Sequence, residues 1–201
     1  MNIKYYYIIA CLSLLVFASC SEQDDAVEEF PNWPSTNDEY FSRLYAEAQA
    51  KIAGGDTSWE VFTGYTVPAS DYAAQWYDKI VVEKLETAAG TDLTSPILTD
   101  TVQVHYVGRL IPSANAYKTN GMEFDRSYRG TFDDAIATPA TFPVAGLIPG
   151  FATALMHMHK GDHWRVYIPY QLGYGLYASG SIPAGSTLIF DLRLVNFWRK
   201  K

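Results

Sequence analysis

The chain has 201 residues, 48% of them apolar and 18% charged, with 15 Lys and Arg against 22 Asp and Glu for a net charge of -7. That length and apolar fraction supply one core of ordinary domain size plus an appendage. The acidic balance and the scattered basic residues exclude a phosphate-backbone binder, so no nucleic-acid partner is expected.

The first twenty residues, "MNIKYYYIIACLSLLVFASC", carry one Lys, an apolar run from Tyr5 to Ala18, small residues and a Cys. Charge, length and small-residue exit match a secretory signal, and the run is short for a membrane span. The ending "FASC" is similar to a bacterial lipobox, which predicts a signal peptide over 1–19, lipidation of Cys20 and a membrane anchor through that lipid. Cys11 leaves with the signal, so no disulfide is expected and the core alone holds the fold. Residues 20–35, with "SEQDDAVEEF" and then "PNWPS", read as a flexible acidic tether.

Thr36 and Glu39 have capping-box spacing, and Phe41, Leu44, Tyr45, Ala48 and Ile52 follow at helical intervals before Gly54-Gly55. This predicts an amphipathic helix over about 36–53, within an N-terminal helical extension spanning 36–76. Its apolar stripe can dock on the main domain or on a second copy. From Tyr77 the period shifts toward two. "WYDKIVVEKLE", "DTVQVHYVGRLI", "MEFDRS", "ATFPV", "HWRVYIP" and "STLIFDLRLVNFW" read as strands, and Pro149 opens a short helix at 149–157. The expected fold class is α+β, a sheet with one short helix on one face, over residues 77–201.

Familiar catalytic constellations are missing from this pattern. No GxSxG elbow occurs, and no free Cys remains after processing. "HMHKGDH" places His157, His159 and His163 close together, yet side chains two apart at a helix end point to different faces. No metal or other cofactor is therefore expected. Asp133 and Asp134 read as a solvated loop, and "GYGLYASG" lacks the lysine and the strand-to-helix context of a phosphate loop.

Six ordered blocks are explained together instead. "VHYVGRL", "MEFDRSYRG", "LIPGFATAL", "KGDHWRVYIP", "LGYG" and "IPAGSTLIFDLRL", in order from residue 104 to 194, resemble the FKBP-type peptidyl-prolyl cis-trans isomerases, and the match covers roughly residues 78–201. The resemblance implies an FKBP-like bent antiparallel sheet wrapping the short helix, with an aromatic pocket between them. It implies catalytic roles for Tyr106, Asp125, Ile148 (through its N–H) and Tyr174. It implies substrate-binding roles for Phe124, Leu147, Phe151, Ile182 and Phe190. Proline-containing polypeptides are the implied partners, with macrolides as inhibitory ligands.

The sequence departs from the family pattern in four places. Phe151 replaces the usual Trp, and Ala140 replaces a flanking aromatic, which leaves one wall open. About eight additional residues fall between Tyr106 and Phe124, within the stretch around "PSANAYKTNG", and can reshape the rim. Arg126 can pair with Asp125 or leave it free. With the lipobox, the expectation is a lipid-anchored isomerase of a Gram-negative cell envelope, on the periplasmic side of the outer membrane or at the cell surface, that assists folding of exported proteins. The alternative is a prolyl-peptide-binding or chaperone lipoprotein of the same fold with little turnover.

Overall fold

The computed structural model describes residues 28–69, 73–88 and 93–199; the signal peptide and Cys20 lie outside them. In chain order the main elements are α1 (Trp33–Ala53), β1 (Trp59–Thr63), β2 (Lys79–Glu86), β3 (Asp100–Leu110), β4 (Glu123–Arg126), β5 (Ala140–Pro143), α2 (Pro149–Leu155), β6 (His163–Ile168) and β7 (Leu188–Arg199). The strands form one sheet in the order β1-β2-β6-β7-β3-β4, with β5 also pairing to β3. All these pairings are antiparallel.

The sheet has two covered faces, and that explains its composition. Successive strand residues point to opposite faces. Ile80, Val82, Val104, Tyr106, Val166, Ile168, Phe190 and Leu192 face the core that contains α2. Val81 and Tyr167 face the other way and pack with Trp59 under Phe41 and Ala48 of α1. Covering both faces buries Ile80, Val81 and Val82 in succession, so β2 reads as a continuous apolar run rather than an alternation.

Helix α2 is apolar apart from Thr153 because it is enclosed all round, with every residue from Gly150 to Leu155 buried, and the Thr153 hydroxyl donates to the Pro149 carbonyl at 2.8 Å. Pro149 starts it, at a position where the missing N–H costs nothing. Gly150 lets it approach β6, since a Cβ there would lie 2.3 Å from Ile168 Cγ2.

The N-terminal region differs from the sequence-based expectation in three ways. Helix α1 starts at Trp33, three residues before the capping-box position, and Thr36 donates its hydroxyl to the Asn32 carbonyl at 3.3 Å instead of capping. The cause is burial: Trp33 belongs to the core, so "PNWPS" is partly helix and not all tether. The segment 36–76 is not helical throughout, because Trp59–Thr63 forms the edge strand and pairs with β2. Helix α1 docks on its own chain, and its end is marked by Lys51 Nζ lying 3.8 Å from the centre of the Trp59 ring and by Gly55 at φ 87°.

Candidate active site

Between the core-facing side of the sheet and α2 lies an open cavity of about 420 Å³. The residues predicted as catalytic and substrate-binding, Tyr106, Phe124, Asp125, Leu147, Ile148, Phe151, Tyr174, Ile182 and Phe190, all line it. They come from β3, β4, β7, the first turn of α2 and two connections, so no single stretch of sequence contains the site.

The floor and walls are aromatic rings set edge to face. Phe151 and Phe190 have centroids 4.9 Å apart at 89°, Phe124 and Phe190 are 5.5 Å apart at 85°, and Tyr106 stands 6.1 Å from both Phe151 and Phe190. Rings prefer this geometry because positive edges meet negative faces. The register makes room for it: Gly108 sits opposite Phe190 on β7 and opposite Asp125 on β4. A Cβ at Gly108 would come within 2.5 Å of the Phe124 ring.

The polar groups sit at one edge. The Tyr106 hydroxyl donates to Asp125 Oδ2 at 2.7 Å, and the Arg126 backbone N–H donates to Asp125 Oδ1 at 2.8 Å. Burial, and next the adjoining carboxylate, push the Tyr106 phenol well above its ordinary value, so it remains a neutral donor. Arg126 directs its guanidinium to Glu123 and leaves the Asp125 carboxylate free of it. At the mouth, the Ile148 N–H has no hydrogen-bond partner among the described residues, and the half-exposed Tyr174 projects from the connection between β6 and β7.

This arrangement suits conformational chemistry more than bond cleavage. It offers an apolar slot with one carboxylate–phenol pair and uncommitted donors, and none of the lining residues is a Cys, Lys or His. Sequence comparison points the same way. The FKBP-type peptidyl-prolyl cis-trans isomerase family matches residues 94–195, just over half of the chain.

The chain belongs to this family.

It is 38% identical over 115 residues to the FKBP-type peptidyl-prolyl cis-trans isomerase FkpA of Aeromonas hydrophila, covering 57% of this chain and 35% of that protein. It is 43% identical over 101 residues to the FKBP-type 22 kDa peptidyl-prolyl cis-trans isomerase of Escherichia coli, covering 50% of this chain and 42% of that protein. The matched region thus spans well under half the length of these relatives. The crystal structure of FkpA from Escherichia coli aligns with a TM-score of 0.50 at 22% identity, over 99% of this chain and 74% of that one, and agrees in fold.

Two features of this FKBP site were not singled out from sequence. Phe142 lines the cavity and tilts against Tyr106 at 6.1 Å. Ala140 had suggested an open wall, but Phe142 lies two residues along on the same face of β5 and supplies the aromatic; period-two spacing was the available signal. The rim also contains Ser179, Gly180 and Ser181, held by reciprocal backbone hydrogen bonds of 3.0 Å between Ser179 and Ile182. Residues 112–121, where the additional residues fall, do not line the cavity. They fold over Glu29, whose carboxylate accepts from Ala116 N–H at 2.9 Å.

The histidines go separate ways. His157 stacks on Phe62 with centroids 3.9 Å apart, His159 lies 3.5 Å from Asp162, and His163 lies 3.3 Å from Glu86. Asp133 accepts from the Ala135 N–H at 2.9 Å, within its own loop.

Proposed function

We propose that this chain is a peptidyl-prolyl cis-trans isomerase that twists X-Pro amides of exported polypeptides from a lipid anchor at Cys20. The observation that carries the reading is the convergence of nine residues from distant parts of the chain on one aromatic slot with the Tyr106–Asp125 pair at its edge.

The physical demand is modest in chemistry and large in energy. Amide resonance sets a rotation barrier of about 18–20 kcal/mol, and the twisted transition state has lost that resonance. A millionfold acceleration requires about 8 kcal/mol of preferential binding to the twisted form. Phe124, Phe151, Phe190, Phe142 and Ile182 form apolar walls for the proline ring and exclude the water that stabilises the planar, more polar amide. The Ile148 N–H and the Tyr174 hydroxyl are donors for the flanking carbonyls, and Asp125, held by Tyr106, lies beside the twisting carbonyl. Macrolides that mimic a prolyl segment fit the same slot as inhibitors.

The support for anchoring lies in the "FASC" ending of the apolar N-terminal run. Incorporation of labelled fatty acid by the parent, and its loss in Cys20→Ala, is the expected result.

A chaperone reading, with prolyl-peptide binding and little turnover, draws on one observation. Leu176 and Tyr177 beside the pocket are 60% and 80% exposed, an apolar rim suited to unfolded chains. A protease-free isomerisation assay on the purified chain separates the two. The isomerase reading expects acceleration at micromolar protein that Asp125→Ala lowers by at least tenfold; peptide binding without acceleration supports the chaperone reading instead.

A further inference from the structure

The pocket depends on a long connection whose ends are held by α1. Between β6 and β7, residues 169–187 carry Tyr174 and Ile182 together with the rim residues Ser179, Gly180 and Ser181. Their own regular structure is one short 3-10 turn at Tyr170–Leu172 and a bridge between Ser179 and Ile182. Tyr174, Leu176 and Tyr177 are exposed. A connection this long, with its middle at 174–181 largely exposed, reaches many conformations unless its ends are fixed.

Helix α1 supplies the fixing. Trp33 Nε1 donates to Ser186 Oγ at 2.7 Å, and the Ser186 hydroxyl in turn donates to the Pro183 carbonyl at 2.6 Å. Asn37 is fully buried and uses both ends of its amide. Its Nδ2 donates to the Trp33 carbonyl at 2.7 Å, and its Oδ1 accepts from the Thr187 N–H at 2.7 Å. The Tyr170 hydroxyl donates to Asp38 Oδ2 at 3.3 Å. Pro34 lies against Gly185, which has φ 73° and no room for a Cβ, since one would fall 2.8 Å from the proline ring. The first turns of α1 therefore grip the connection at Tyr170 and again at Gly185–Thr187. The Gly185 N–H donates to the Gly175 carbonyl at 3.0 Å and carries that hold to the residue after Tyr174.

Asn37 is the informative residue. A buried amide on an otherwise apolar helix face is costly unless every polar atom finds a partner, and a leucine would serve simple docking better. Its carbonyl instead satisfies a backbone N–H of the pocket connection. We infer that Trp33 and Asn37 are positioning residues for the isomerase reaction, acting through residues 169–187 to preorganise Tyr174 and Ile182 in the slot. This rests on the isomerase reading of that slot.

The test compares Trp33→Phe, Asn37→Ala and Ser186→Ala with Ala48→Gly in the full chain. Ala48 is buried on the far half of α1, in the cluster with Trp59, and lies away from the connection. At a temperature where every variant is folded, Trp33→Phe and Asn37→Ala are expected to lower kcat/KM about tenfold, as small misplacements of binding groups do. They should also speed amide exchange within 173–187. Trp33→Phe and Ser186→Ala share the Trp33–Ser186 bond, so their combination should cost less than the sum of the two single losses. Ala48→Gly should lower Tm without changing kcat/KM or exchange in 173–187.

Parent-level kcat/KM in Trp33→Phe and Asn37→Ala overturns the inference, as does an equal loss in Ala48→Gly at matched Tm. If Asn37→Ala does not fold, Trp33→Phe and Ser186→Ala decide, because the first removes the bond to Ser186 and keeps an aromatic ring, and the second removes only that bond and the one to the Pro183 carbonyl. If the parent shows no isomerisation, the isomerase reading fails and the exchange pattern alone decides the anchoring: faster exchange confined to 173–187 supports it, and unchanged exchange overturns it.

Discussion

Gly108→Ala adds one methyl group at the back of the pocket and tests whether the aromatic slot is built as described. The new Cβ would lie 2.5 and 2.6 Å from Phe124 Cε2 and Cζ and 2.9 Å from Phe190 Cε1, all well inside van der Waals contact. Phe190 has little freedom to retreat, being buried and edge-on to Phe151 at 4.9 Å. Phe124 is only half-buried and gives way toward solvent. Overpacking typically costs about 1–3 kcal/mol, and the free side of Phe124 places this case near the lower bound. For a chain of this size about 1 kcal/mol corresponds to a Tm lower by roughly 2–4 °C. The effect on turnover is larger, because one wall of the proline slot is displaced, and kcat/KM should fall by ~10-fold or more. Isomerisation kinetics and a thermal melt on the same preparation measure both. A variant that melts with the parent and keeps kcat/KM within twofold would show that the Phe124 ring does not pack over Gly108, and the slot geometry would be wrong.

Phe142→Ala removes the unanticipated wall; its ring is half-buried and outside the tightest cluster, so peptide binding should weaken several-fold in a titration while Tm falls by less than in Phe151→Ala, where a buried aromatic truncation costs about 3–5 kcal/mol. The imidazoles of His105, His157 and His163 are each held below the ordinary value of 6.5, chiefly by desolvation. Below that value the unfolded chain binds protons that the fold refuses, so stability is full above 6.5 and declines as pH drops through it. Melts across this range should show that decline, and His157→Phe, which keeps the stack on Phe62, should flatten it; an unchanged slope would count against the assignment.

Legibility in the sequence followed the range of the interactions. The strands of β2, β3, β6 and β7 were readable because their β-branched and aromatic runs are local, and Pro149 marked the start of α2 for the same reason. The pocket was readable only through the family resemblance: nothing in the spacing of Tyr106, Asp125 and Tyr174 shows that a bent sheet brings them together. The start of α1 was misplaced because capping-box spacing is a local signal, whereas burial of Trp33 and Asn37 against Ser186 and Thr187 is a contact across most of the chain. The edge strand Trp59–Thr63 was missed because five residues flanked by polar turns carry too little periodicity. Ala140 marks a gap in the family pattern, but Phe142 of the same "ATFPV" strand shares its face and fills the wall.

The most direct test of the central claim is exchange of a prolyl peptide between its cis and trans forms at equilibrium, followed by NMR line shape with the full chain added in micromolar amounts. Broadening and merging of the cis and trans resonances is the expected result, reversed by a macrolide that fills the slot and much reduced in Asp125→Ala. Sharp, separate resonances at every concentration of folded protein would contradict it.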